Sequence, residues 1–281
     1  MVYTGLLFKD EPLFYCILIL VTTGLALAIF TMLFFITAGY GRHNKKKWGA
    51  GINTHLGWFI MELPTLAIMG LCFIFSDKWL VDTGIKWTYF VFLFIWFLHY
   101  GHRVLIYPFQ IRNGKKMTIT IVLMGFLFNL SNVYIQGRWL FTLSDPIYTN
   151  DLLFPISNAD YTSSSWLYSP QFIVGVLIFL IGYFINKKSD LILRNLRKDL
   201  SEGEYKIPSG FLYRFITAPN YLGELLEWIG WAILTWSLAG VTFVIWTFAN
   251  LFPRAISHHR WYKEKFEDYP EERKAIIPFL L

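Results

Sequence analysis

The feature that most constrains the fold is an apolar run at residues 221–252, which passes directly into a strongly ionisable tail. A helix of that length would measure about 48 Å at about 1.5 Å per residue, whereas one membrane span needs only about 20 residues. Basic segments lie on both sides of the run, and such segments stay in the cytoplasm. The run must therefore cross the bilayer an even number of times. We predict two short, bent helices with a hinge near residues 237–240.

Further apolar runs precede this one, at residues 12–38, 52–75, 87–107, 118–133 and 171–185. Hydrophobic residues make up 55% of the 281-residue chain and charged residues only 16%, against about a quarter charged in soluble domains. We therefore predict an all-α, polytopic membrane protein with seven transmembrane helices. No repeat or low-complexity segment divides it, so residues 1–281 should form a single domain.

The charges of the connecting loops predict the orientation in the membrane. Basic residues cluster after the first, third and fifth runs, whereas the loop at residues 134–170 carries three Asp and one Arg. The positive-inside rule then places the N-terminus outside and the C-terminus in the cytoplasm. The net charge of +6 thus reflects topology, and we expect no nucleic-acid partner. Short loops and the absence of a retention signal favour a bacterial inner membrane over the endoplasmic reticulum.

Several chemistries can be set aside. Cys16 and Cys72 both lie in apolar runs, where small core residues are expected rather than a disulfide framework or an iron–sulfur site. His258 and His259 would point apart on a helix, and no HExxH motif accompanies them, so we expect no metal. The chain also contains no GxGxxG after a strand, no GxSxG and no P-loop. A nucleotide would have to bind among the cytoplasmic ends of the helices.

Glu62 is the first candidate for a functional role, because it lies inside the second apolar run. A carboxylate at that depth is costly, desolvation favours its protonated form, and a neutral acid can donate a hydrogen bond to a carbonyl oxygen. Tyr100, in the polar turn HYGHR at residues 99–103, is a second candidate donor. The alternatives are a structural hydrogen bond for Glu62, an interfacial role for Tyr100 and a snorkelling Arg103.

A second group of candidates follows helical spacing near the cytoplasmic side. Asn186, Asp190, Arg194 and Arg197 would share one helix face, where an amide and an acid suit hydroxyls and arginines suit phosphates. The alternative is a solvated basic face at the membrane surface. Two further groups follow. One is the Tyr205–Lys206 pair with Asn220 and Glu224, which are four residues apart, and the other is Arg254, His258 and Tyr262, again spaced by four residues.

These residues belong to longer motifs that resemble those of the integral-membrane steroid 5α-reductases. The motifs are WFIMELP at 58–64, HYGHR at 99–103, SDLILRNLRK at 189–198, NYLGELLEWIG at 220–230, AILTWS at 232–237, HHRWY at 258–262, FEDYP at 266–270 and RKAIIPF at 273–279. The resemblance extends from about residue 58 to the C-terminus and is weakest in the loop at 134–170.

The resemblance implies an NADPH-dependent membrane reductase with seven helices, which reduces the C4–C5 double bond of 3-oxo-Δ4 steroids. It implies that Glu62 and Tyr100 polarise the 3-oxo group, with hydride added at C5, and that Trp58 and Met61 lie on the substrate side. The steroid would enter from lipid between the first four spans. Residues 1–135 would form the substrate half and residues 171–281 the cofactor half, and we expect a monomer. The implied NADPH-binding set is Arg103, Arg112, Asn186, Asp190, Arg194, Arg197, Tyr205, Lys206, Asn220, Glu224, Arg254, His258 and Tyr262.

Two positions depart from the pattern of that family and keep other functions open. Met61 stands where a glutamine is usual. Lys206 stands where an arginine is usual, and a lysine cannot form the bidentate hydrogen bonds that an arginine makes with a phosphate or carboxylate. One alternative is a reductase of another enone or enoyl lipid. A second is a methyltransferase similar to the isoprenylcysteine carboxyl methyltransferases, against which Glu62 and Tyr100 argue. A third is a transporter or a scaffold without catalysis, and the absence of an inverted repeat disfavours transport.

Overall fold

The computed structural model describes residues 5–35, 50–76, 78, 80–81, 84–111, 116–196 and 204–280. Its long helices are α1 (Glu11–Phe35), α2 (Thr54–Ile74), α3 (Trp87–Gln110), α4 (Ile119–Leu143), α5 (Pro170–Leu196), α6 (Pro219–Thr235) and α7 (Leu238–Lys265). Short helices occupy Pro146–Thr149, Ser164–Tyr168 and Phe211–Arg214. The all-α prediction is therefore confirmed.

Six of these helices, all except α6, are long and apolar enough to cross a membrane. Helix α6 has 17 residues, or about 25 Å at about 1.5 Å per residue, which falls short of a bilayer core of about 30 Å. The predicted break in the last apolar run is confirmed, because α6 ends at Thr235 and Trp236 takes a left-handed φ of 45°. Helix α7, however, has 28 residues and is not the short helix that was predicted.

One other predicted boundary was wrong for an identifiable reason. The fourth run was expected to end at residue 133, but α4 continues through a π-helical turn to Leu143. Arg138 does not end the helix because Glu11 neutralises it: Arg138 Nε donates to Glu11 Oε1 over 2.6 Å, and both side chains are buried. The polar segment after the fifth run stays helical to Leu196, as the helical spacing of Asn186, Asp190 and Arg194 predicts.

Pairs of two-residue strands lie just before the first residues of the long helices α2, α3 and α4. Strand β1 (Gly51–Ile52) pairs antiparallel with β4 (Met117–Thr118), which sets the starts of α2 and α4 side by side. Strands β2 (Leu80–Val81) and β3 (Gly84–Ile85) form a second antiparallel pair between α2 and α3. Because α2 and α4 start together, they run in the same direction, and Glu62 comes to face α4.

Helices α5 and α6 approach each other so closely that only glycine fits between them. A Cβ placed on Gly182 would lie 2.5 Å from the backbone nitrogen of Glu227, and one on Gly223 would lie 2.4 Å from that of Asn186. Gly175 and Gly230 form the same kind of contact about two turns further along. The backbones of the two helices thus hold Asn186 of α5 and Glu227 of α6 in a fixed relation.

Candidate functional site

The polar site is built around Glu62, which is 2% exposed in the middle of α2. Arg103 Nε donates to Glu62 Oε1 over 2.8 Å, and Asn129 Nδ2 of α4 donates to Glu62 Oε2 over 3.1 Å. We expected a protonated acid that donates a hydrogen bond. In the structure both carboxyl oxygens accept hydrogen bonds instead, one of them from a guanidinium, which is the arrangement of an ionised carboxylate.

Arg103 joins three helices at this point. It lies in the π-helical turn of α3 at His102–Ile106, and π-turns are frequent at functional sites. Its Nη1 is 3.7 Å from Glu224 Oε1 of α6, and its guanidinium lies 5.2 Å from the centre of the Trp58 ring of α2. The structure thus places the predicted residues Glu62, Arg103, Glu224 and Trp58 together.

Tyr100 is buried beside this cluster in an aromatic setting. Its ring centroid lies 4.7 Å from Trp96 and 5.6 Å from Trp228. The preceding residue, His99, is also buried, and its Nδ1 lies 2.6 Å from Glu227 Oε2 of α6. Tyr100 therefore has a defined position relative to both α3 and α6.

Three residues of the site were not assigned from the sequence: Asn129, His99 and Glu227. Each is a polar residue within an apolar stretch of a membrane protein, and such residues are functional candidates by default. Asn129 Nδ2 also donates to the backbone oxygen of Met61 over 2.8 Å. Applied to every apolar run, the argument that singled out Glu62 would have found all three.

Helices α5 and α6 bring part of the predicted cofactor-binding set together. Asn186 Nδ2 donates to the backbone oxygen of Asn220 over 3.0 Å, and Asn220 Nδ2 donates to Asp190 Oδ1 over 3.1 Å. Arg194 lies one turn further along α5. Its Nη1 is buried and, like His102 Nδ1 of α3, has no hydrogen-bond partner among the described residues. Two such buried nitrogens suit an anionic ligand between α3 and α5.

Helix α7 continues this surface through its polar second half. The Arg254 guanidinium lies 5.3 Å from the Tyr221 ring centre of α6, and the His258 ring lies 5.6 Å from the same ring. Tyr221 directly follows Asn220 in the chain. Residues Arg254 and His258 therefore adjoin the α5–α6 group.

Two of the remaining predicted residues, Tyr205 and Tyr262, make aromatic contacts. Tyr205 packs edge-on against Trp261 with centroids 4.9 Å apart, and Lys206 is exposed. Tyr262 stacks on Tyr269, 5.6 Å away. Burial raises the pKa of Tyr269, and a hydrogen bond with Thr217 opposes that shift.

Met61 does not share the environment of Glu62. It is 8% exposed and packs with Met117 and Val122, and a Cβ on Gly125 of α4 would lie 2.3 Å from its sulfur. Its side chain therefore fills the α2–α4 interface. Arg112 and Arg197 lie outside the residues that the structure describes.

The helices and the buried polar cluster between them define an integral-membrane protein with an ionisable site inside its helical bundle. A family model described as 3-oxo-5-alpha-steroid 4-dehydrogenase matches residues 115–281. Steroid 5-alpha-reductase DET2 of Arabidopsis thaliana is 38% identical over 281 residues, covering 96% of this chain and 98% of that protein.

Two mammalian proteins show the same degree of similarity. The 3-oxo-5-alpha-steroid 4-dehydrogenase 1 of Bos taurus is 38% identical over 257 residues, covering 92% of this chain and 93% of that protein. The enzyme of that name from Homo sapiens is 38% identical over 241 residues, covering 86% and 85%. The chain therefore belongs to the steroid 5α-reductase family of oxidoreductases.

Proposed function

We propose that this protein reduces the C4–C5 double bond of a 3-oxo-Δ4 steroid with NADPH. The observation that carries the proposal is that Glu62 of α2 and Glu224 of α6 both meet Arg103 of α3, one turn from the buried Tyr100. The family relationship supports the steroid, since the curated relatives are steroid 5α-reductases. When bound, NADPH would supply a hydride to C5, and a proton adds at C4.

Tyr100 and Glu62 would polarise the 3-oxo group in different ways. The Tyr100 hydroxyl can donate a hydrogen bond in its ordinary protonated form, and a donor aimed at the oxygen stabilises the charge that develops there. Glu62 can donate only as a neutral acid. Because Arg103 now holds its carboxylate, donation by Glu62 requires that this contact open and that Glu62 take up a proton.

Asn129 and Trp58 would complete the substrate side of the site. Asn129 fixes one oxygen of Glu62 from α4, so the carboxyl group has a defined direction before the ketone arrives. Trp58 presents an aromatic face beside Arg103, which suits a flat apolar ligand. In this proposal the first four helices receive the steroid from the bilayer, chiefly through residues 1–135.

The second half of the chain, residues 171–281, would hold the cofactor from the cytosolic side. Asn186, Asp190 and Asn220 form a hydrogen-bonded group that offers amide and carboxylate atoms to hydroxyls. The buried Nη1 of Arg194, with Arg254 and His258 on α7, fits phosphate groups. Arg112, Arg197, Tyr205, Lys206 and Tyr262 are assigned to the same role by family resemblance alone.

Product analysis with labelled cofactor tests the proposal. The protein, purified in detergent, is incubated with 4-deuterated NADPH and progesterone, testosterone or androstenedione. We expect one deuterium at C5 of a 5α-reduced product by mass spectrometry and NMR. The Glu62→Gln variant should lose most of this turnover.

Asp151→Asn, in the loop before α5, is the matched control for removing a carboxylate and should retain turnover. Three results would each contradict the proposal. These are absence of label transfer to any 3-oxo-Δ4 steroid, reduction of an enoyl lipid alone, and wild-type turnover by Glu62→Gln.

A further inference from the structure

Two neighbouring residues of α6 hold two neighbouring residues of α3. Glu227 Oε2 lies 2.6 Å from Nδ1 of His99, a distance at which the ring N–H donates to the carboxylate. Trp228 packs against both His99 and Tyr100, with ring centroids 4.6 Å and 5.6 Å apart. Tyr100 is thus enclosed by Trp228 on one helix and by Trp96 on its own helix.

The His99–Glu227 pair is fully enclosed, with Glu227 0% and His99 1% exposed. The second carboxyl oxygen, Glu227 Oε1, is buried and has no hydrogen-bond partner among the described residues. A buried ionisable pair contributes little net stability compared with apolar side chains of similar size. Stability alone is therefore a weak reason for this pair, and its position beside Tyr100 provides a better one.

We infer that His99 and Glu227 are positioning residues, which fix the Tyr100 hydroxyl relative to the cofactor-binding part of α6. The inference rests on the proposed function. Glu224 and Asn220 precede Glu227 on the same helix by three and seven residues, or about 4.5 and 10 Å along the axis. One hydrogen bond thus connects the helix that carries Tyr100 to the helix that would orient the nicotinamide.

The consequence for catalysis is a fixed distance between hydride donor and acceptor. Tyr100 would hold the ketone end of the steroid while α6 holds the cofactor, so any slip of α3 against α6 changes the separation of the reacting carbons. A misplacement of about 1 Å can cost on the order of 100-fold in rate. Binding of the cofactor, which relies on Asp190, Asn220 and Arg194, should change much less.

Four variants separate positioning from simple stability. Glu227→Leu removes the acceptor and leaves the His99 ring N–H unpaired. The double variant His99→Leu/Glu227→Leu replaces both partners with apolar side chains and should recover stability. Glu227→Gln keeps an oxygen acceptor, and His99→Asn keeps an N–H donor near the position of Nδ1. Glu11→Gln is the control, because Glu11 is an equally buried carboxylate paired with Arg138.

The control site lies well away from Glu62 and its partner Asn129. Arg138 is nine residues beyond Asn129 on α4, or about 13 Å along the axis. Glu11→Gln should therefore lower the unfolding temperature without changing kcat or the isotope effect.

The measurements are kcat, KM, the deuterium isotope effect with 4-deuterated NADPH, the Kd of NADPH by fluorescence and the unfolding temperature without ligands. For Glu227→Leu and for the double variant we expect kcat to fall on the order of 100-fold and the isotope effect to rise. The Kd should stay within about threefold, since the cofactor contacts are intact. Glu227→Gln and His99→Asn should restore most of kcat.

The unfolding temperature and kcat of the double variant decide between the two explanations. If its unfolding temperature and kcat both return to those of the wild type, the pair is merely structural and the inference is overturned. If stability returns while kcat stays low, the inference stands. Failure of the wild-type protein to transfer deuterium to any steroid would instead overturn the proposed function, so the two failures are distinguishable.

Discussion

The close contact between α5 and α6 yields a quantitative prediction for Gly182→Ala. The added Cβ would lie 2.5 Å from the backbone nitrogen of Glu227 and 2.6 Å from the backbone oxygen of Gly223. Ordinary contacts begin near 3.4 Å, and because both neighbours are backbone atoms, no side chain can yield. The helices must therefore separate by about 1 Å, a displacement that can cost on the order of 100-fold in rate.

The effect on stability should be smaller than the effect on catalysis. Overpacking costs about 1–3 kcal/mol, but alanine is favoured over glycine in a helix by about 1 kcal/mol. We therefore expect the free energy of unfolding to fall by about 0–2 kcal/mol. The assays are steroid-dependent NADPH oxidation for kcat and thermal unfolding in detergent for stability.

Two further glycines provide controls for this prediction. Gly24→Ala in α1 has no atom within 4 Å of the new Cβ and should leave kcat unchanged. Gly175→Ala, about 10 Å along α5 from Gly182, meets the backbone nitrogen of Leu234 at 2.4 Å. It should reduce stability similarly but affect kcat less. Wild-type kcat in Gly182→Ala, with a lowered unfolding temperature, would refute the link between this contact and the site.

Further predictions concern single polar contacts. Asn129→Leu removes a donor to Glu62 at a cost of about 1–3 kcal/mol, so kcat/KM should fall roughly 5- to 150-fold; an unchanged value would remove Asn129 from the site. Arg194→Gln should raise the Kd of NADPH about tenfold or more, as measured by fluorescence titration, whereas equal Kd values for variant and wild type would contradict a phosphate contact. Trp231→Phe leaves Gln136 Oε1, now 2.9 Å from the indole nitrogen, without its donor. The unfolding temperature should drop while kcat is unchanged, and an unaltered temperature would count against this buried bond.

The helical class could be predicted from the sequence because lipid imposes length and apolarity on each span, but of the seven predicted spans only six described helices are long and apolar enough to cross a membrane. The end of α4 could not, since it depends on Glu11 lying against Arg138, 127 residues away in the chain. The break between α6 and α7 was predicted from the length of the apolar run and from the basic segments on both sides of it. Its form, a left-handed Trp236 followed by the Ser237 side chain accepting from Gly240 N, was not evident from composition.

For the site as well, individual residues could be predicted from the local sequence, whereas their partners from distant parts of the chain could not. Glu62 stood out because a carboxyl group in an apolar run is costly, and the stripe from Asn186 to Arg194 follows helical spacing. The partners of Glu62 were not predictable, because Arg103 reaches it from a π-helical turn and Asn129 reaches it from α4. Arg103 was assigned to cofactor phosphates, yet its nearest polar contact in the structure is Glu62.

In the proposed function, α6 would serve both the cofactor and the steroid. Its first turns, with Asn220 and Glu224, lie beside Asn186, where α5 changes from apolar to polar. Three residues beyond Glu224, Glu227 is already enclosed by the aromatic core. A cofactor arriving from water would therefore contact the first two turns of α6. A steroid arriving from lipid would reach Tyr100 against the next turn, where Trp228 lies.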